Sequence, residues 1–134
     1  MIFIDTSGLY AVLDRDDLHH AAARAAWADI LRTSDTMLTH NYALVEMYAL
    51  CQGRLGLAAL RAVEDTIVPL LRVQWIAESQ HRAAVQMALA ADRRKLSVVD
   101  CASFLIMREQ RIAKAFTFDR HFGEQGFEPV PPAQ

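Results

Sequence analysis

Apolar residues in this chain come in short runs that stop abruptly at an acid or a polar turn, separated by longer stretches with the rhythm of helices. Residues 1–4 close on Asp5-Thr6-Ser7-Gly8, which predicts a buried strand followed by a turn. Residues 7–15 predict one short helix. The Ala-rich segment 17–32, with Trp27, Ile30 and Leu31, predicts a second, with Asp16 or Asp17 as its N-cap. A brief strand at 37–39 leads into a helix over 41–51 that Gly53 should stop. Another helix is expected over 55–68, ended by Pro69, then a third strand over 71–76. Two helices, 78–94 and 98–110, precede a strand at 113–118. Residues 127–131 add a final strand, at a sheet edge because Pro129 cannot donate to a ladder on both sides. Strands alternating with helices predict an α/β fold whose parallel sheet is covered on both faces.

Four carboxylates interrupt this pattern. Asp5 ends Met-Ile-Phe-Ile and Asp119 ends Ala-Phe-Thr-Phe. Glu46 is the one charged residue between Asn41 and Gly53, and Asp100 the one between Leu96 and Met107. An unpartnered buried carboxylate costs several kcal/mol or takes up a proton. In a parallel sheet the strand C-termini and the N-termini of the following helices share one edge, where ligands bind. Asp5 and Asp119 fall just past strands, Asp100 in the first turn of a helix, and Glu46 on the face of its helix shared with Tyr42, Ala43, Ala49 and Leu50. All four can therefore meet on one rim.

Each acid also has an ordinary use. Ser97-Val-Val-Asp100 fits a helix-start capping pattern, and Asp5 or Asp119 would serve as a turn or cap residue. Glu46 has no Lys or Arg within a helical turn to pair with. Four oxygen donors without Cys or His companions suit a hard cation, Mg²⁺ or Mn²⁺, which would bind a phosphate and activate water. Thr6, Ser7, Ser103 and Thr117 offer hydroxyls for substrate or for capping, and Arg120 and His121 stand beside Asp119. His121 reads more readily as part of an exposed loop than as a substrate contact.

Composition narrows the partners. At 134 residues with 53% hydrophobic content, one domain spanning 1–134 is expected, with a real core. A net charge of −2 gives no global field for nucleic acid, so any such contact must be local. Candidates are Arg93, Arg94, Lys95 and Arg120. Cys51 and Cys101 lie in apolar helical contexts, as buried thiols of a reducing compartment do. The first residues lack a basic region and a long apolar run, and no uncharged stretch is long enough to cross a bilayer, so a cytoplasmic protein is expected.

The opening Ile-Phe-Ile-Asp5-Thr-Ser, the helical Ala-Leu-Val-Glu46, Leu-Ser-Val-Val-Asp100-Cys-Ala and Phe-Thr-Phe-Asp119-Arg-His-Phe, in that order, resemble the PIN-domain ribonucleases, in particular the VapC-like toxins of bacterial toxin–antitoxin modules. The similarity covers nearly the whole length. It implies a three-layer α/β/α sandwich with a mainly parallel sheet and a pocket of Asp5, Glu46, Asp100 and Asp119 holding Mg²⁺ or Mn²⁺. It also implies endonucleolytic cleavage of RNA, a homodimer and a cognate antitoxin. The Leu-, Tyr- and Met-rich stretch 42–71 would offer an antitoxin helix its groove. Two other folds place an Asp after their first strand. A haloacid dehalogenase-type phosphatase wants a second Asp where Ser7 stands, and a receiver domain wants an acidic pair ahead of its central Asp and a late lysine after a strand; neither arrangement fits the placement of Glu46 and Asp100. The alternative of another class is a non-catalytic PIN-like module that binds RNA or acts as a scaffold.

Overall fold

The computed structural model describes residues 1–133. Five strands, β1 (Ile2–Ile4), β2 (Met37–His40), β3 (Arg72–Gln74), β4 (Lys114–Phe116) and β5 (Glu128–Val130), form one sheet in the order β3-β2-β1-β4-β5. Every pairing is parallel; Phe3 lies opposite Leu38 on one side and Ala115 on the other. Seven helices cover it among the described residues: α1 (Thr6–Leu13), α2 (His20–Arg32), α3 (Asn41–Arg54), α4 (Leu57–Ala62), α5 (Glu78–Ala91), α6 (Val98–Gln110) and α7 (Arg120–Glu124).

The strands are buried on both faces, and their period-two alternation divides the core in two. Ile2 and Ile4 pack with Leu9, Tyr10, Ala23, Ile30, Met47 and Cys51 from α1, α2 and α3. Phe3 and Leu38 point the other way, against Ala84 of α5, Phe104 and Met107 of α6 and Phe122 of α7. The three-layer sandwich follows from that division. Both cysteines are buried and unpaired.

Several sequence expectations change at element ends. α2 begins at His20 with His19 at the N-cap position, because Asp17 spends its carboxylate on the His19 amide (2.8 Å) in the preceding turn. Gly53 lies inside α3; the stop is Gly56, whose φ of 94° only glycine adopts freely and whose amide bonds the Cys51 carbonyl (2.9 Å). The expected 55–68 helix starts after that glycine as α4, passes through a π-helical turn at Val63–Ile67, and tightens into a 3₁₀ turn at Val68–Leu70. Pro69 is accepted within that last turn, where its missing N–H is not needed. α5 ends at Ala91 because Asp92 takes a left-handed conformation, φ 51°. The third strand is shorter than 71–76, and α7 had no expectation at all.

The strand order reverses direction between β1 and β4, which opens a crevice beyond their carboxyl ends. α1 starts there and crosses β4 closely. A Cβ at Gly8 would lie 2.6 Å from the Phe116 carbonyl oxygen and 2.9 Å from its ring. Gly8→Ala is therefore expected to push α1 off β4 and lower stability by about 1–3 kcal/mol. Urea unfolding checks this; an unchanged midpoint would show that the contact relaxes freely.

Candidate functional site

Each acid is held at the crevice by the local chemistry of a helix start. Asp5 is the N-cap of α1: its Oδ2 accepts from the Ser7 amide (3.3 Å) and the Ser7 hydroxyl (2.6 Å). The same oxygen accepts from the Thr117 hydroxyl (2.8 Å), which in turn takes the Asp119 amide (3.0 Å). Asp119 is the N-cap of α7, with Oδ1 on the His121 amide (2.9 Å). Asp100 and Ser97 form a reciprocal capping box, each side chain accepting from the other's amide at 3.0 Å. So the capping uses foreseen for single acids are real, and they serve to aim the same carboxylates at one place.

Glu46 arrives differently. α3 begins directly after β2, with His40 as its N-cap: His40 Nδ1 accepts from the Ala43 amide (3.1 Å). That fixes the proton on Nε2, which donates to Ser103 Oγ (2.8 Å) while the Ser103 hydroxyl donates to the Val99 carbonyl (3.0 Å). His40 thus couples the helix carrying Glu46 to the helix carrying Asp100. No ligand spacing in the sequence pointed to it; its place at the end of an apolar run, just before a helix, was the available signal.

Asp100 and Asp119 act on both Asp5 and Glu46 across this crevice. Burial pushes the Asp5 carboxyl up to about 6, with Asp100 and Asp119 adding repulsion against the bonds from Ser7 and Thr117. Glu46 is raised by desolvation and by the same two aspartates, with the Thr6 hydroxyl opposing. Asp100 is raised by desolvation and by Asp119. Among the described residues no Lys or Arg pairs with any of the four. A half-buried acid cluster without basic partners concentrates negative charge at this point.

His121 belongs to it, contrary to the exposed-loop reading. It is buried on the first turn of α7, and ligand atoms of Asp100, Asp119 and His121 fall within 4.8 Å of one another. Its Nδ1 sits 2.7 Å from Asp119 Oδ1 but off the line of a hydrogen bond, and among the described residues it is the one buried side-chain polar atom without a partner. That atom and the free oxygens of the carboxylates are electron-pair donors that could hold a cation. Ser7 and Thr117 stand beside Asp5 as its hydrogen-bond partners, while the Thr6 hydroxyl donates to the Ala43 carbonyl (3.3 Å). Ser103 corrects the expectation of a substrate contact: it is fully buried and its hydroxyl is occupied by His40 and Val99. Arg120 is exposed at the rim, 3.8 Å from Glu124. Arg93 is drawn to Glu124 (2.8 Å), while Arg94 and Lys95 are exposed.

The chain belongs to the PIN-domain family, whose model matches residues 2–128. Over 133 residues it is 32% identical to the 23S rRNA-specific endonuclease VapC20 of Mycobacterium tuberculosis, spanning 98% of this chain and 99% of that one, in strains CDC 1551 / Oshkosh and H37Rv alike. The crystal structure of M. tuberculosis VapC20, a sarcin-ricin-loop-cleaving toxin, superposes with a TM-score of 0.84 at 30% identity, over 95% of this chain and 96% of that one. FitAcB from Neisseria gonorrhoeae gives 0.69 at 16% identity (96% of both chains), and FitAB bound to an IR36 DNA fragment 0.70 at 17% (96% and 93%). At that identity the likeness is one of fold. Along its whole length, then, the chain is homologous to a ribonuclease toxin.

His40 yields a test of how the site is held. Burial lowers its imidazole from 6.5 to about 4, and protonation would put a second donor against the Ala43 amide. Between those values the unfolded chain binds the extra proton, so this contribution is whole above pH 6.5 and lost as pH falls towards 4. The loss reaches up to roughly 3 kcal/mol. Asp5, raised to about 6, has the opposite slope, binding its proton in the folded state. The difference between wild type and His40→Asn isolates the histidine. Urea unfolding at pH 7.5 and 5 should show the variant losing less stability on acidification; equal losses would mean His40 titrates normally.

Proposed function

We propose that this chain is a metal-dependent endoribonuclease that hydrolyses RNA phosphodiester bonds as the toxin of a toxin–antitoxin pair. The observation that carries the reading is the convergence of Asp5, Glu46, Asp100 and Asp119 at the β1–β4 switch point with no basic side chain to neutralise them. These four would hold Mg²⁺ or Mn²⁺, whose preference for oxygen ligands matches the donor set. Bound there, the ion supplies charge neutralisation at the phosphate and an acidified water. The chain's own groups do the rest. Ser7 and Thr117 occupy Asp5 Oδ2 and so leave Oδ1 available to a cation. His121 Nδ1 stands ready to accept or deliver a proton beside Asp119, and Arg120 at the rim can meet the RNA backbone.

VapC20 acts on 23S rRNA, which makes ribosomal RNA the first substrate class to try. For the antitoxin we favour the apolar groove between α3 and α4, about 860 Å³, lined by Leu44, Val45, Tyr48, Leu57, Leu60 and the exposed Trp75. It lies in the stretch where the sequence placed a groove, and an amphipathic helix would fill it. A homodimer and a cytoplasmic setting complete the reading; among the described residues no helix is long and apolar enough to cross a membrane.

Purified protein with Mn²⁺ should cut total cellular RNA into discrete fragments, and EDTA or Asp5→Asn should abolish the cutting. Fragments equal in amount from wild type and variant would mean contamination and end the nuclease reading. Asp5→Asn, Glu46→Gln and Asp100→Asn should each lower cleavage by roughly 100-fold or more. Asp5→Asn should at the same time gain stability at pH 7, by up to about 3 kcal/mol, because it removes a buried charge whose folded pKa is about 6 instead of 3.8. That gain should vanish below pH 4, where both states of the wild type are protonated. Thermal unfolding at pH 7 and pH 4 checks both signs; a less stable variant at pH 7 would make the acid a structural residue.

A further inference from the structure

We propose that the groove between the start of α2 and the β4–α7 turn is a nucleotide subsite, where the exposed ring of His19, backed by Phe118, stacks on an RNA base next to the cleaved phosphate. The inference rests on the ribonuclease reading and gives that site a substrate-positioning residue.

The groove, about 710 Å³, runs from Leu18 and His19 past Phe118 to Asp119 and Arg120. Thr117 and Asp119 line it and also belong to the acid cluster, so the two are continuous. The His19 and Phe118 rings lie parallel at 4.4 Å and 6°. Phe118 is anchored from behind: its amide donates to Ser7 Oγ (2.9 Å), and its ring meets Phe116 edge-on and packs on the core. His19 is exposed, makes no side-chain cap bond although it holds the N-cap position of α2, and has no ring hydrogen bond among the described residues. Its ring stacks on Phe118, and the residue is exposed to solvent.

A rigid aromatic pair presented to solvent beside an acid site is the form of a single-strand platform. Every base has a π-face, so stacking is strong and tolerant of sequence. RNA recognised in loops presents such unstacked bases. Arg120, 77% exposed and only loosely paired to Glu124 at 3.8 Å, lines the same groove and supplies the positive charge for the adjoining phosphate. His19 acts through placement of the nucleotide, since it touches none of the four acids.

The test uses the Asp5→Asn chain, chosen to suppress cutting, without added divalent cation and with an RNA decamer of adenosines carrying 2-aminopurine at its centre. Stacking should quench the 2-aminopurine on binding. His19→Ala should weaken binding about ten-fold and relieve the quench, while His19→Phe should stay within about two-fold. Arg120→Gln should reduce the salt dependence of binding by about one ion. Both His19 variants should melt at the parental temperature. Equal binding and quenching by His19→Ala and its parent would overturn the proposal, and a peptide that fills the groove without competing with RNA would do so too. Total-RNA cleavage by the wild type is scored separately: a chain that stacks the base but never cuts keeps the subsite and loses the nuclease.

Discussion

One oxygen, Asp5 Oδ2, ties the two halves of the sheet together at the point where the strand order reverses. It accepts from Ser7 on α1 and from Thr117 after β4, and Thr117 passes the link on to the Asp119 amide. Two acids that repel one another are thereby fixed by neutral hydroxyls and amides, with no cation spent on them. Gly8 lets α1 approach β4 closely enough for that link to close. On the other flank the neutral His40 imidazole plays the matching part, capping α3 and reaching Ser103 on α6. Glu46 and Asp100 follow from it.

The arrangement trades stability for function in a way that can be read from the acids. Desolvation and mutual repulsion raise Asp5, Glu46 and Asp100. A fold selected for stability alone would pair them with Lys or Arg or replace them. Binding of a divalent cation only to the folded chain would offset this cost, in proportion to occupancy. The homology to VapC20 over nearly the full length fits a site of this kind.

Much of this was legible in the sequence. The runs ending in Asp5 and Asp119, and the lone acids Glu46 and Asp100 in apolar helices, marked the four positions because charge inside an apolar pattern needs a reason. The α/β alternation fixed the fold class. What stayed hidden depended on tertiary contact. His121 looked like a loop residue because α7 is a five-residue helix that exists only through the Asp119 cap and the burial of Phe122. Ser103 looked like a site hydroxyl, since helical spacing from Asp100 cannot reveal that His40 claims it. The break in the helix expected over 55–68 turned on the positive φ of Gly56, whereas Gly53 had seemed the natural stop.

Everything proposed for the crevice turns on whether these carboxylates hold a divalent cation. Titration of the protein with Mn²⁺, followed through the electron paramagnetic resonance signal of the free ion, tests it most directly. Wild type should deplete the signal, and Asp5→Asn and Asp100→Asn should each lose most of that binding while remaining folded. Depletion of the same size by wild type and both variants would place the ion elsewhere and contradict the account.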